Sequence, residues 1–452
     1  MAKTTIQYVC SSCGAKAPQM LGRCPVCGEW GTYEEEVLES RPHSSGSRQS
    51  IKTDRAQRLQ DVIASEEMRL DMRNGEFNRV LGGGLVPGSL VLLGGEPGIG
   101  KSTLALQVLM QQGERKSFYA SGEESVRQLK LRAERLSGNA ENLYISSETS
   151  LERILEQVKE LEPDIVVIDS IQTIGTEAVE ASIGSITQVR ECAARILEFA
   201  KTRNIPFIII GHINKEGSLA GPKVLEHIVD TVLQFEGDQQ YMYRILRAQK
   251  NRFGSTSEIG IYEMRQDGLR EVTNPSELLL STAREGLSGI AIAAAVEGVR
   301  PFLIEVQALV SSAAYGTPQR SSTGFDGRRL NMLLAVLEKR VGFKLLQKDV
   351  FLNIAGGLRV QDPAIDLAVL AAVLSSNMDI ALDAGTCLCG EVGLAGEIRP
   401  VNRIEQRIAE AQKLGFRRIL IPAEQKVDQS RYSIEIIQVK KVTDAFRLLI
   451  KA

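Results

Sequence analysis

No stretch of this 452-residue chain approaches the ~20 consecutive apolar residues that a bilayer span demands. Its first residues also lack the order of a secretory leader. No membrane association is expected, and the expected compartment is the cytosol. An excess of charge of one sign is missing as well: 54 basic and 56 acidic side chains leave a net charge of −2. Nucleic-acid binding would therefore have to come from local basic patches, because there is no global basic field to attract a polyanion. Tryptophan is reduced to one residue, Trp30, and neither an internal repeat nor a low-complexity tract appears outside one polar segment. The remaining composition, 43% hydrophobic and 24% charged, is that of an ordinary globular protein. A chain this long exceeds one hydrophobic core, so two or three domains are expected.

Against that background one stretch stands out. Gly94–Thr103 reads Gly-Gly-Glu-Pro-Gly-Ile-Gly-Lys-Ser-Thr, which fits G-x-x-x-x-G-K-[ST] through Gly95, Gly100, Lys101 and Ser102. The apolar run Ser89–Leu93 before it reads as a buried strand, and Thr103–Met110 after it as a helix. A glycine-rich turn between strand and helix aims several backbone N–H groups at one point, where the helix dipole also favours an anion. Gly95, Glu96, Pro97, Gly98, Ile99, Gly100, Lys101, Ser102 and Thr103 are the candidate nucleotide cradle. Lys101 would reach the β- and γ-phosphates of ATP, and the Ser102 hydroxyl would ligate Mg²⁺.

Upstream, Cys10-x₂-Cys13 and Cys24-x₂-Cys27 form two knuckles separated by ten residues. Four thiolates suit a closed tetrahedral Zn²⁺ site, and with few apolar neighbours the metal would supply much of the folding energy. A redox pair is the alternative; two matched pairs in a reducing cytosol favour zinc. Trp30 is expected to pack on this ribbon, assigned to residues 1–33. Residues 34–58 are rich in Glu, Ser, Arg, Gly and Gln and read as a flexible linker. His43 within it receives no role.

Residues 59–273 alternate apolar strands with helices, which implies an α/β core with a mostly parallel sheet and helices on both faces. Asp164–Asp169 is an apolar strand ending in an acid, the pattern in which Asp169 would hold Mg²⁺ directly or through water. Lys116–Ala120 reads as a strand ending in Ser121-Gly122-Glu123-Glu124-Ser125, taken to lie next to the P-loop strand. Glu123 or Glu124 could orient an attacking water there; alternatively both merely open the following helix, where acids suit the dipole. The strand Pro206–Ile210 leads to His212, which could sense the γ-phosphate or be a plain hydrogen-bonded histidine. Glycine-containing loops near Gly175–Gly184 and Gly217–Pro222 follow strands at the edge where ligands gather. Lys215 and Lys223 flank the second and are candidate DNA contacts. Lys250 and Arg252 sit around Asn251, on a turn after the strand Met242–Ala248. On their own they read equally as a solvated basic turn.

The core resembles the RecA family of ATPases, and Lys250-Asn251-Arg252-Phe253-Gly254 resembles the signature pentapeptide of the bacterial RadA (Sms) family. Ribbon, P-loop, Ser121–Ser125 and pentapeptide occur in that family's order, and the paired glutamates also resemble those of KaiC-type ATPases. The resemblance implies that Lys250 and Arg252 supply cations to a neighbour's nucleotide within a closed ring. It further implies a hexamer that encircles single-stranded DNA, works beside a RecA-type recombinase, and extends branched intermediates during recombination and repair of damaged DNA.

Asn274-Pro275 marks a boundary, and residues 274–452 resemble the α+β proteolytic domain of Lon proteases through Gly390–Val401 and Arg418–Pro422. Ala364 falls where that family's catalytic serine belongs, and Glu405 where its lysine belongs. Alanine cannot attack a carbonyl and glutamate cannot replace a neutral amine base, so no peptidase activity is expected. Between Ser312 and Leu345, six basic residues face two acidic ones, Asp326 and Glu338. Arg320, Arg328, Arg329 and Arg340 in that excess are candidate phosphate contacts, with a solvated helix face as the alternative. Cys192, Cys387 and Cys389 read as small core residues. An ATP-dependent protease and a KaiC-like signalling ATPase without DNA are the competing classes.

Overall fold

A computed structural model describes residues 4–10, 15–26, 28–39, 69–136, 138, 140–212, 223–237, 243–280, 286–313, 318–345, 347–357 and 359–450. The chain divides into two units, Met1–Glu271 and Val272–Ala452. Among the described residues no helix is long and apolar enough to cross a membrane.

The first unit opens with β1 (Thr4–Cys10), β2 (Lys16–Ala17) and β3 (Tyr33–Glu39), an antiparallel sheet in the order β2-β1-β3. Strand β1 pairs along its whole length with β3, from Thr4 opposite Glu39 to Cys10 opposite Tyr33. Glu34–Glu39 therefore continue the ribbon instead of starting a linker. Composition weighs side chains, whereas a ladder is closed by backbone groups that even an acidic strand possesses. Residues 40–58 of the expected linker lie outside the described residues. Trp30 packs on the ribbon from outside: it is 75% exposed, and the Arg23 guanidinium lies over its ring, 5.8 Å from the ring centre.

The α/β part follows as α1 (Gly75–Leu81), β4 (Leu90–Gly95), α2 (Lys101–Met110), β5 (Ser117–Ser121), α3 (Val126–Ala133), β6 (Leu143–Ser146) and α4 (Leu151–Leu161). Then come β7 (Ile165–Asp169), α5 (Ile186–Arg203), β8 (Phe207–His212), α6 (Lys223–Ile228), β9 (Thr231–Glu236), β10 (Tyr243–Asn251), β11 (Ile259–Arg265) and β12 (Gly268–Glu271). They form one nine-stranded sheet, ordered β12-β11-β10-β9-β4-β8-β7-β5-β6. Pairing is parallel from β9 to β6 and antiparallel from β9 to β12. Every residue of β4, β5 and β7 is buried, as a sheet covered on both faces requires. Val91 and Leu93 pack on one side with Leu104 and Val108 of α2, while Leu90 and Leu92 pack on the other with Ile154 of α4 and Ile196 of α5.

The second unit contains α7 (Pro275–Leu279), β13 (Ile290–Glu297), β14 (Arg300–Ser312), β15 (Arg320–Thr323), α8 (Gly327–Val336), β16 (Lys348–Ile354) and α9 (Asp366–Met378). It continues through β17 (Thr386–Leu388), β18 (Glu391–Val392), β19 (Ile398–Arg399), α10 (Ile404–Lys413), β20 (Arg418–Pro422), β21 (Glu435–Val439) and α11 (Val442–Ile450). Its main sheet runs β15-β16-β14-β13-β17-β20-β21. Helix α9 is apolar almost all round and buried from Asp366 to Ser375, so it forms the centre of this unit's core. Cys192 in the first unit and Cys387 and Cys389 in the second are all buried.

Candidate nucleotide-hydrolysis site

The P-loop leaves β4 at the centre of the sheet and enters α2 at Lys101. Its glycines are needed for space and conformation. A Cβ on Gly95 would lie 2.6 Å from the Phe235 carbonyl oxygen, and Gly100, which caps α2, has φ +113°, where a side chain is strained. Lys101 lies back across the loop, its Nζ donating to the Gly95 carbonyl at 2.7 Å and the Glu96 carbonyl at 2.9 Å. Burial pushes its pKa down to about 8, although the carboxylates of Asp169, Glu123 and Glu96 oppose that shift.

Strand β5, expected beside the P-loop strand, is not adjacent to it: β8 and β7 lie between. What brings its carboxylates into the site is pairing with β7, which sets Ser121 opposite Asp169. The Ser121 hydroxyl then accepts the backbone N–H of Glu123 at 3.3 Å and of Glu124 at 2.9 Å, folding the tip back. From there the two glutamates part. The Ser170 hydroxyl, one residue past Asp169, donates to Glu123 Oε1 at 2.6 Å. Glu124 turns towards α3 and pairs with Arg132. Glu123 is thus the one held beside the end of β7.

Asp169 is 5% exposed. The phenol of Tyr119, on β5, donates to its Oδ2 at 2.5 Å, while Oδ1 is buried without a hydrogen-bond partner. An unpartnered buried carboxylate oxygen, together with the Ser102 hydroxyl in the first turn of α2, is a donor set that fits a hard divalent cation such as Mg²⁺. His212 faces Gly95 across the β4–β8 ladder.

Only the last three residues of the pentapeptide, Arg252–Gly254, lie in the bend after β10; Lys250 and Asn251 belong to the strand. A bulge between Ala248 and Lys250 lets β10 run on, so Lys250 pairs opposite Val232 and Asn251 opposite Thr231. Lys250 Nζ donates to the carbonyls of Glu226 (2.6 Å) and Val229 (2.8 Å), at the end of α6. Burial, with Arg252 nearby, lowers its pKa. Arg252 is half-exposed and its Nη1 lies 3.1 Å from Asp230 Oδ1; Asp230 in turn accepts the N–H of Leu90, first residue of β4, at 3.1 Å. The Asn251 amide donates to the Leu81 carbonyl at 3.2 Å, at the end of α1. No sequence pattern announced Asp230 or these helix-end contacts, because their partners are remote in the chain.

In the ribbon, Cys10 and Cys24 are buried in one cluster with Ala17 and Tyr33. Cys13 and Cys27 lie outside the described residues, and no group of three metal-ligating side chains occurs among those described. Four thiols at this spacing still match the donor chemistry of zinc. Lys215 and the side chain of Lys223 also lie outside the described residues.

The basic segment of the second unit divides. Arg320 and Arg328 are exposed, and Arg340 is exposed with its Nε 3.4 Å from the Leu394 carbonyl. Arg329 departs from the expected surface role: its guanidinium pairs with Asp366, which is fully buried at the start of α9, and lies 3.6 Å from Glu391. Burial pushes the Asp366 carboxyl up, and the guanidinium offsets that only in part. Ala364 is completely buried in the apolar core, and Glu405 faces solvent on α10. Asp362 accepts from Arg407 at 2.6 Å.

Taken together, the first unit joins a zinc-ribbon segment to a RecA-like P-loop ATPase fold. Family models match in three places: a rubredoxin metal binding domain over residues 8–35, an AAA domain over 53–218, and subunit ChlI of Mg-chelatase over 325–425. DNA repair protein RadA of Bacillus subtilis is 50% identical over 99% of both chains. That of Listeria monocytogenes is 48% identical over 99% of this chain and 98% of its own. The chain belongs to the RadA family. A KaiC-like protein from Pyrococcus horikoshii is also similar, at 22% identity over 45% of this chain and 99% of its own, with a TM-score of 0.39, too low to carry an argument.

Proposed function

We propose that this protein is an ATPase of DNA repair whose subunits close into a ring, expected to be a hexamer, on single-stranded DNA. The observation that carries the reading is the match to RadA over 99% of both chains, which joins ribbon, ATPase core and second unit as one inherited set. In this reading ATP sits on Gly95–Thr103, and Lys101 moves from the Gly95 and Glu96 carbonyls to the phosphates. Ser102 and Asp169 would hold a Mg²⁺ ion, which would supply charge neutralisation to the phosphates. Glu123 orients the attacking water; Glu124 is already committed to Arg132. The half-exposed Arg252 is the cation that serves a neighbour's nucleotide, while Lys250 secures α6 within its own subunit.

Turnover would then drive movement along DNA and extension of branched recombination intermediates, beside a RecA-type recombinase. The second unit, with alanine at 364 and a solvent-facing glutamate at 405, would cleave no peptide. The deciding experiment compares ATP hydrolysis with and without single-stranded DNA at fixed salt. Stimulation is expected, and identical rates would remove DNA from the mechanism while leaving the ATPase reading intact.

A further inference from the structure

We propose that Tyr119 is a positioning residue for the metal-binding carboxylate. Its phenol fixes one oxygen of Asp169 so that the other is presented to the Mg²⁺ of the bound nucleotide. This rests on the assignment of Asp169 made above. Tyr119 is the third residue of β5, completely buried, and β5 pairs in parallel with β7 so that Tyr119 lies opposite Val167, two residues before Asp169. That register brings the phenol within 2.5 Å of Oδ2. A carboxylate that ends a strand can rotate about its side-chain torsions, and an aspartate on an open sheet edge would sample several orientations. Here one oxygen is held by a donor rooted in the buried strand β5, and the other is buried with no hydrogen-bond partner.

The two oxygens of Asp169 are therefore unequal. A buried polar oxygen without a partner costs free energy in the resting chain. The same oxygen, already aimed and already stripped of water, needs little reorganisation when a divalent cation arrives. A phenylalanine would pack equally well against β7 but leave both oxygens unsatisfied and unaimed. Tyr119 stands to Asp169 as an outer partner stands to a metal ligand, and such partners typically contribute about 10- to 100-fold to metal affinity when removed.

The test is a Mg²⁺ titration of fluorescent ATP-analogue binding to the full chain, with a parallel binding measurement in EDTA. For Tyr119→Phe the Mg²⁺ concentration at half-maximal effect should rise about 10-fold or more, with affinity in EDTA unchanged. A merely structural tyrosine would weaken binding equally in both conditions, and that outcome, or an unshifted midpoint, overturns the proposal. If Tyr119→Phe alone does not fold, Tyr119→Phe with Asp169→Leu decides, since replacing both partners of a buried hydrogen bond by apolar groups of similar shape is close to neutral. Recovery of folding in the double variant supports the coupling, and failure of both assigns the phenol to packing. Lys101→Ala in the same assay separates the two levels: wild-type binding by that variant would sink the nucleotide site itself, whatever Tyr119 does.

Discussion

Lys101 is a residue under opposing demands. Its ammonium is buried before any phosphate reaches it, and that burial draws its pKa down from 10.5 to about 8. In the nucleotide-free chain the charge opposes folding: the cost is fully present below pH 8 and is relieved as pH rises from 8 towards 10.5. Lys101→Met should therefore raise the melting temperature of the nucleotide-free chain at neutral pH, with the gain shrinking in alkaline buffer. The same substitution should cut ATP turnover by at least ~10²-fold, because the charge on the transferring phosphoryl group loses its partner. In the unmodified chain kcat/KM should fall as pH rises through about 8, the pKa of this lysine in the free protein. The glutamate pair makes a second residue-level test. Glu123→Gln should lower kcat by ~10²-fold or more while nucleotide binding persists. Glu124→Gln removes the partner of Arg132 and should act mainly on the stability of α3. Equal kinetic losses in the two variants would contradict the division of roles.

At the scale of elements, helix α8 places two neighbouring arginines in opposite situations. Arg328 is exposed, and Arg329 reaches the buried Asp366 at the start of α9. Arg329→Ala leaves an uncompensated buried carboxylate and should destabilise the second unit by about 3–5 kcal/mol, measured by thermal or denaturant melting. Arg328→Ala should leave the melt unchanged and, if it touches phosphate, reduce the salt slope of DNA binding by about one. The charge excess of this segment was legible in the sequence; which arginine is spent on the core was not, because Asp366 lies 37 positions away. The same contrast holds elsewhere. The P-loop and β7 were readable because glycines, a lysine and an apolar run ending in Asp169 are local patterns with local causes. The extension of β3 through Glu34–Glu39 and of β10 through Lys250 was hidden, since a backbone ladder and a bulge leave little trace in composition. The place of β5 beyond β8 and β7 is a property of strand order, which no single strand encodes.

At the scale of the whole molecule, the position of Lys250 and Arg252 decides how subunits would cooperate. Lys250 is engaged by two carbonyls at the end of α6, and Arg252, half-exposed, pairs with Asp230 at 3.1 Å. An arginine that serves a neighbour stabilises charge developing in the transition state, so Arg252→Ala should lower turnover far more than nucleotide affinity. A subunit lacking Lys101 would still carry a good Arg252, and one lacking Arg252 would still carry a good P-loop. Mixing inactive Lys101→Ala and Arg252→Ala chains should therefore rebuild some competent interfaces in a ring and recover part of the DNA-stimulated hydrolysis. Lys250→Ala mixed with Lys101→Ala should behave differently. If Lys250 serves its own subunit, each P-loop left intact by Lys101→Ala replacement elsewhere belongs to a chain whose α6 has lost its anchor, and no activity returns. Hydrolysis measured across mixing ratios, with exchange of subunits established separately, distinguishes the two cations in one experiment. Recovery in both mixtures would place Lys250 at the interface too. Recovery in neither would confine both residues to their own chain.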